Sequence, residues 1–214
     1  HFTSIQHVNK KIGKLIVISA PSGTGKTTVV KKLLEEVHDI VASVSFTTRP
    51  KRNKEKDGVD YYFVEKKAFE EMKYEGLFLE NAIVFGHFYG THKTYVSKLL
   101  EKGKNVILEI DWQGAEQIRE KVSDCILIFL IPPSKEVLLS RLRNRATDSD
   151  KEIENRFNQA VQDLEQTVNF DYVLVNDQIN ESVQNIALCI KGEIGSIDQS
   201  ENVKRAIASF RETD

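Results

Sequence analysis

The chain has 214 residues, 40% of them hydrophobic, which is enough for one sizeable domain with an ordinary buried core. Its 30 Lys and Arg residues are balanced by 32 Asp and Glu residues, and the formal net charge of -2 argues against nucleic acid as a bulk electrostatic partner. Two cysteines are too few for a disulfide framework, and no apolar run approaches the roughly 18 residues that a membrane-spanning helix needs. We therefore expect a cytoplasmic protein that binds neither nucleic acid nor membrane.

The first structured segment is an apolar strand, then a glycine-rich loop, then a helix. The run Leu15–Ser19 predicts a buried strand, and residues 27–36 predict a helix. The loop between them reads Ala20, Pro21, Ser22, Gly23, Thr24, Gly25, Lys26, Thr27 and Thr28. It follows the motif G-x-x-x-x-G-K-[ST], whose backbone N–H groups cradle phosphates while Lys26 reaches the β/γ-phosphates and Thr27 ligates Mg²⁺. Ala20 replaces the first glycine, so we expect its φ to stay negative. The motif indicates binding of a nucleoside triphosphate with Mg²⁺.

Strands and helices alternate along the rest of the chain. Four more apolar segments rich in β-branched residues predict buried strands at Ile40–Ser45, Asn105–Ile110, Cys125–Ile131 and Tyr172–Val175. Helices are predicted between them at Thr94–Lys102, Gly114–Lys121, Lys135–Asn144 and Lys151–Val168. This alternation is typical of an α/β fold with a parallel sheet, in which ligands bind at the carboxyl ends of the strands.

Two stretches interrupt the alternation. Residues 47–94 are turn-rich and aromatic, and we expect an insertion beside the main sheet, with short antiparallel strands or loops at Asp60–Val64 and Phe85–Gly90. The stretch Arg141–Asp150 runs from a basic helix end into a polar loop and predicts a mobile lid. The C-terminal tail carries three apolar residues at the spacing of one helix face, which we expect to pack on the core: Val203, Ile207 and Phe210.

Six sequence blocks occur in a specific order and spacing. They are the phosphate loop, S-V-S-F-T-T-R-P-K-R at Ser43–Arg52, G-V-D-Y at Gly58–Tyr61, F-L-E-N at Phe78–Asn81, F-Y-G-T at Phe88–Thr91 and L-E-I-D-W-Q-G at Leu108–Gly114. Together they resemble the guanylate kinase family over residues 14–185. The resemblance implies a three-layer P-loop NTPase fold with a parallel central sheet, a core at 10–46 and 95–214, an inserted monophosphate-binding subdomain at 47–94 and a lid at about 141–156. It also implies transfer of a phosphoryl group from ATP to GMP, and to dGMP as well.

The resemblance further implies the residues that bind GMP. They are Ser45, Arg49, Arg52, Tyr61, Glu80, Tyr89, Gly90, Thr91 and Asp111. Guanine presents two donors on one edge, which the Glu80 carboxylate would accept, with Asp111 on the amino group and hydroxyls on O6. Guanidinium groups and tyrosine hydroxyls would hold the monophosphate.

Catalytic and ATP-binding positions are implied in the same way. Charge on the transferring phosphoryl group would be stabilised by Lys26, Arg141, Arg145 and Arg156. The phosphate loop would hold ATP, Asn176 would contact adenine, and no general base or covalent intermediate is expected. Glu109 and Asp111 could each hold Mg²⁺ through water, and the sequence does not distinguish which of the two does so. The chain could be a monomer or a homodimer.

Two other functions compete with this one. A non-catalytic guanylate-kinase-like module would bind phosphorylated peptides in the monophosphate pocket, but such modules characteristically lose the loop lysine, which is Lys26 here. A kinase acting on adenylate or a sugar phosphate would not need Glu80, Ser45 and Asp111 together.

Overall fold

A five-stranded parallel sheet forms the centre of the molecule. The computed structural model describes residues 11–145, 148–193 and 200–212. The first residue of the predicted core, residue 10, therefore lies outside the described residues, as do 146–147 of the predicted lid and 194–199 and 213–214 of the tail. The strands are numbered in chain order and lie across the sheet in the order β2 (Ile40–Ala42), β7 (Asn105–Glu109), β1 (Leu15–Ser19), β8 (Cys125–Ile131) and β9 (Tyr172–Val175). Every neighbouring pair is parallel, which confirms the predicted sheet.

The predicted first strand after the phosphate loop is wrong in length. Strand β2 pairs with β7 only from Ile40 to Ala42, whereas the sequence predicted a strand to Ser45. After Ser43, whose N–H still donates to the Ile107 carbonyl, the chain leaves the sheet. Ser45 consequently lies in the cleft and not in the core sheet.

Helices cover both faces of the sheet, which makes three layers. Alternate residues of β1 point to opposite faces, as expected for a strand with period two. Ile16 and Ile18 pack with α1 (Lys26–Glu36) and α7 (Ile179–Lys191). On the other face, Leu15 and Val17 pack with α3 (Lys93–Glu101) and α4 (Trp112–Lys121). The three-layer α/β fold predicted from the sequence is confirmed.

A smaller mixed sheet occupies the stretch predicted to be an insertion at 47–94, and it begins one residue earlier, at Phe46. Its strand order is β4 (Tyr62–Phe63), β3 (Phe46–Thr47), β6 (His87–His92) and β5 (Phe78–Val84). The antiparallel pairs β3–β6 and β5–β6 agree with expectation, but β4 is parallel to β3, so the purely antiparallel expectation was wrong there. The helix α2 (Lys66–Tyr74) was not predicted; it buries Phe69 against the sheet.

The predicted lid region consists of two helices that pack on each other. Helix α5 (Lys135–Arg143) ends just before Asn144, and α6 (Asp150–Asp163) begins at a capping box formed by Ser149 and Glu152. A 3₁₀ helix then covers Leu164–Asn169, so the predicted long helix is α-helical only in its first part. Ala146 and Thr147 lie outside the described residues.

The C-terminal helix packs on the core, as predicted. Helix α8 (Ser200–Ser209) lies against β9, and Val203, Ile207 and Phe210 contact the apolar cluster around Phe129 and Leu164. Across the described ranges, no helix combines the length and the apolar character needed to cross a bilayer.

Candidate active site

One cleft of about 360 Å³ lies between the carboxyl ends of the core strands and the smaller sheet. The phosphate loop, Ala20 to Thr28, forms one wall of the cleft. The rest of the lining includes five residues of the predicted monophosphate site, which are Ser45, Tyr61, Glu80, Tyr89 and Asp111. Glu109 and Arg145 also line the cleft. The fold therefore joins the two predicted anion sites in a single cavity.

The phosphate loop has the backbone geometry that its glycines predict. Gly23 and Gly25 have φ values of 84° and 91°, in the left-handed region that favours glycine. Ala20 is not among the described residues with positive φ, as expected from its methyl group. Helix α1 begins at Lys26, directly after Gly25, and no side chain of the described residues caps its N-terminus. Its first N–H groups are thus free to bind an anion.

Two predicted nucleotide contacts instead brace this loop from behind. The Asn176 side chain is 3% exposed; its Nδ2 donates to the Thr24 carbonyl at 2.7 Å, and its Oδ1 accepts from Ser182 Oγ at 2.7 Å. Arg141 donates to the carbonyls of Thr24, at 2.8 Å, and Asn176, at 3.2 Å. The two bonds of the Asn176 side chain leave one N–H and one lone pair of its amide unused, so it is the burial of the side chain that restricts contact with adenine. Direct contact of either residue with ATP stays a prediction.

Glu109, the last residue of β7, and Asp111, two residues further on, face different parts of the cleft. Thr27 Oγ1 lies 3.4 Å from Glu109 Oε2, at the phosphate loop. Asp111 instead caps α4, where its Oδ1 accepts from the Gly114 N–H at 3.2 Å and its Oδ2 from Gln113 Nε2 at 2.7 Å. No cluster of three acidic, His or Cys side chains suited to a metal occurs in the part of the chain that is described. One hydroxyl and one carboxylate fit Mg²⁺, which takes its remaining ligands from phosphates and water.

The Glu80 carboxylate is the most deeply buried charged group of the cleft. The residue is 1% exposed, and Thr91 Oγ1 donates to its Oε1 at 2.6 Å. Burial raises the pKa of Glu80 from 4.5 to about 7; the Thr91 hydrogen bond opposes this rise, and the charge of Asp111 adds to it. A buried acceptor of this kind is suited to a ligand that brings its own donors.

The side chains predicted to hold the monophosphate are organised around an acidic residue that sequence reasoning missed. Arg49 forms a two-pronged ion pair with Glu55, at 2.8 and 2.7 Å, and the Arg52 N–H donates to the same carboxylate at 2.8 Å. The Glu55 hydrogen bonds hold the pKa of Arg49 above its usual range. The guanidinium also lies 5.3 Å from the centre of the Tyr61 ring, and Tyr61 packs edge-on to Tyr89. Tyr61 and Tyr89 line the cleft, whereas Arg49 and Arg52 are not among its lining residues.

The arginines of the lid region differ in position. Arg145 lies at the mouth of the cleft and is exposed to solvent. Nearby protein atoms still restrict the hydration of its guanidinium group, and this loss of hydration lowers its pKa. The positive charges of Arg156 and Arg52 lower the pKa further. Arg156 pairs with Asp148 at 3.3 Å and lies 5.7 Å over the Phe85 ring. Arg145, Arg156 and Arg52 thus concentrate positive charge where an anion would enter.

Several cleft residues were not found from the sequence. Trp112, Gln113, Gln159 and Asp163 line the cavity, and only the position of the first two beside Asp111 could have indicated it. Phe85, at the turn between β5 and β6, also lines the cleft and has a φ of 48°, which is unusual for a bulky residue. Gly90 was predicted to bind GMP, but its Cα faces the Phe78 ring, where an added Cβ would lie 2.7 Å from ring carbons. Its glycine is therefore explained by packing.

Comparison with known proteins agrees with this geometry. A family model described as guanylate kinase matches residues 12–193. The chain is 43% identical to the guanylate kinase of Legionella pneumophila (strain Lens), over 95% of this chain and 97% of that protein. It is 45% identical to the guanylate kinase of Sphingopyxis alaskensis, over 93% of this chain and 87% of that protein. The crystal structure of guanylate kinase from Anaplasma phagocytophilum superposes with a TM-score of 0.71 at 37% identity, covering 86% of this chain and 87% of that one. This chain belongs to the guanylate kinase family.

Proposed function

We propose that this chain transfers the γ-phosphoryl group of ATP directly to GMP, giving ADP and GDP. The observation that carries the proposal is the position of the Glu80 carboxylate, which lines the same cleft as the phosphate loop. A phosphate loop alone is compatible with many acceptors. A buried carboxylate at the far side of the cleft selects an acceptor with two adjacent donors, and guanine has them.

Base recognition would rest on three neighbouring polar groups. Glu80 would accept from N1–H and the amino group of guanine, and Asp111 would accept a second bond from the amino group. Ser45 is buried at 8% exposure and lines the cleft, where its hydroxyl can donate to O6. Adenine would leave these buried groups unpaired. A site that recognises its substrate by hydrogen bonds strongly rejects an analogue that lacks the matching donors and acceptors. The same site would accept dGMP, because none of these groups reads the ribose.

The monophosphate would bind beside Tyr61 and Tyr89. Burial raises the pKa of Tyr61 to about 12, so its hydroxyl remains a donor at neutral pH. Arg49 and Arg52 would supply the positive charge. Glu55 forms an ion pair with Arg49 and so neutralises part of that positive charge before GMP binds.

Phosphoryl transfer would proceed by positioning and electrostatics. The attacking oxygen of GMP is already anionic, so no side chain needs to remove a proton from it. Lys26, Arg145 and Arg156 would stabilise the charge that spreads over the transferring group. Mg²⁺ bound with ATP would neutralise part of the phosphate charge, held by Thr27 with Glu109 beside it. Arg141 would act mainly through the loop carbonyl that it holds.

Domain roles and surroundings form part of the same proposal. The core at 10–46 and 95–214 would bind ATP, the insertion at 47–94 would bind GMP, and the segment at about 141–156 would close as a lid. Cys125 and Cys189 are buried free thiols, which suits the reducing cytoplasm. We expect small-molecule partners only, with no nucleic acid or membrane bound, in a monomer or homodimer.

An acceptor panel tests the proposal. Purified protein with ATP and Mg²⁺ is assayed for ADP release with GMP, dGMP, IMP, AMP and a sugar phosphate. GMP and dGMP are expected to be the preferred acceptors, with AMP poorer by several orders of magnitude. Equal use of AMP would assign the chain to another kinase class. Tight binding of a phosphopeptide with no turnover of any acceptor would support the non-catalytic module instead.

A further inference from the structure

A glycine in the first turn of α4 lies against the buried carboxylate. A Cβ added to Gly114 would lie 2.4 Å from Glu80 Oε2, 3.0 Å from its Cδ and 3.1 Å from Ile110 Cδ1. Atoms do not approach so closely, so a side chain at this position and the present position of the Glu80 carboxylate exclude each other. The other carboxylate oxygen, Oε1, accepts a hydrogen bond from Thr91 Oγ1 at 2.6 Å. The carboxylate is therefore confined between Thr91 and the bare Cα of Gly114.

The backbone does not explain this glycine. Gly114 lies inside α4 and is not among the described glycines with positive φ. At an ordinary helical position alanine forms a helix better than glycine does, because it loses less backbone freedom. The Gly114 N–H donates to Asp111, but any residue other than proline could make that bond. What glycine alone provides here is the space that Glu80 occupies.

We propose that Gly114 is the positioning residue that sets guanine specificity through Glu80. The inference rests on the proposed function, in which Glu80 reads the base. The closest atom to the added Cβ is the end of a flexible side chain, so the Glu80 carboxylate moves while the backbone of the helix stays in place. A displaced carboxylate can no longer accept from both guanine donors and keep its bond from Thr91. The residue acts on base recognition and leaves the phosphate loop untouched.

Gly114→Ala is the direct test. We expect KM for GMP to rise about tenfold or more, because a hydrogen-bonded specificity contact is misplaced. KM for ATP should stay within about twofold, since the change is confined to the acceptor side of the cleft. IMP lacks the amino group of guanine, so the preference for GMP over IMP should fall in the variant. Glu120→Ala, at an exposed position of the same helix, is the matched control and should leave all three values unchanged.

A double-mutant cycle separates this role from simple packing. A Glu80→Ala background removes the contacts of the added methyl group with the carboxylate and leaves only the milder contact with Ile110 Cδ1 at 3.1 Å, so Gly114→Ala should there change kcat/KM for GMP by less than about twofold. If Gly114→Ala alone lowers Tm, the double variant should recover it. Three results would each overturn the inference. They are a loss of kcat/KM for GMP on Gly114→Ala that is equal in the wild-type and Glu80→Ala backgrounds, an unchanged preference for GMP over IMP, and a Tm that Gly114→Ala lowers in both backgrounds. Wild-type protein that forms GDP together with an unaffected Gly114→Ala variant would refute only this inference. Wild-type protein that forms no GDP would refute the proposed function itself.

Discussion

Replacing Glu80 by glutamine should stabilise the free protein at high pH, where the wild-type carboxylate is ionised. The carboxylate is buried and the structure holds no cation against it within hydrogen-bonding distance among the described residues, so ionisation is costly before GMP arrives. Glutamine has nearly the same shape and its carbonyl oxygen can still accept from Thr91. The substitution therefore removes the charge without opening a cavity.

The expected size follows from the pKa. A folded-state pKa of about 7 against 4.5 in the unfolded chain, at about 1.4 kcal/mol per pKa unit, amounts to about 3 kcal/mol. Because the pKa is raised, the protonated form is the one that favours folding. Its contribution is complete below about pH 4.5 and is lost as the pH rises through about 7. The wild-type protein thus carries the penalty above pH 7, and the glutamine variant does not.

Urea unfolding of both proteins at pH 5 and pH 8.5 measures this effect. The free energy of unfolding of Glu80→Gln should exceed that of the wild type by about 2.5 kcal/mol more at pH 8.5 than at pH 5, slightly less than the full amount because the unfolded chain is already largely ionised at pH 5. Glu120→Gln, at an exposed site, controls for the general loss of one negative charge. A difference between wild type and Glu80→Gln that does not change with pH would refute the reasoning. The same variant should weaken GMP binding far more than ATP binding.

Three further substitutions test other parts of the site. Lys26→Met should lower kcat by about a hundredfold or more with Tm unchanged, because it removes charge stabilisation in the transition state; near-normal turnover would contradict this role. Asn176→Ala should cost about 1–3 kcal/mol in urea unfolding, since it leaves the buried Ser182 hydroxyl and one Thr24 bond unpaired; unchanged stability would argue against the bracing of the loop. Arg49→Lys should raise KM for GMP but not for ATP, because lysine cannot form a two-pronged contact with the phosphate of GMP; an equal rise of both KM values would contradict a role of Arg49 in the GMP site.

The core sheet could be predicted well because its signals are local. Strands β1, β8 and β9 are continuous apolar segments, and their predicted limits agree with the structure. The phosphate loop carries its own glycine and lysine pattern, and its φ values follow from it. Strand β2 was predicted too long because the apolar character continues after the point where pairing with β7 stops.

Long-range contacts explain what the sequence did not show. The parallel pairing of β4 with β3 depends on which strand lies nearby, and no local pattern encodes it. Glu55 appeared as one acidic residue in a basic run, and only the folded loop brings its carboxylate onto Arg49. The engagement of Asn176 with Thr24 joins residues 152 positions apart. The restriction that Glu80 places on Gly114 is likewise visible only once α4 lies against β5.

Simultaneous binding of both nucleotides is the most direct test of the account, which holds that a single cleft seats donor and acceptor side by side. GMP is titrated calorimetrically into protein saturated with a non-hydrolysable ATP analogue and Mg²⁺. We expect one GMP per chain, bound at least as tightly as in the absence of the analogue. Competition between GMP and the analogue for one site would contradict direct transfer between the two nucleotides.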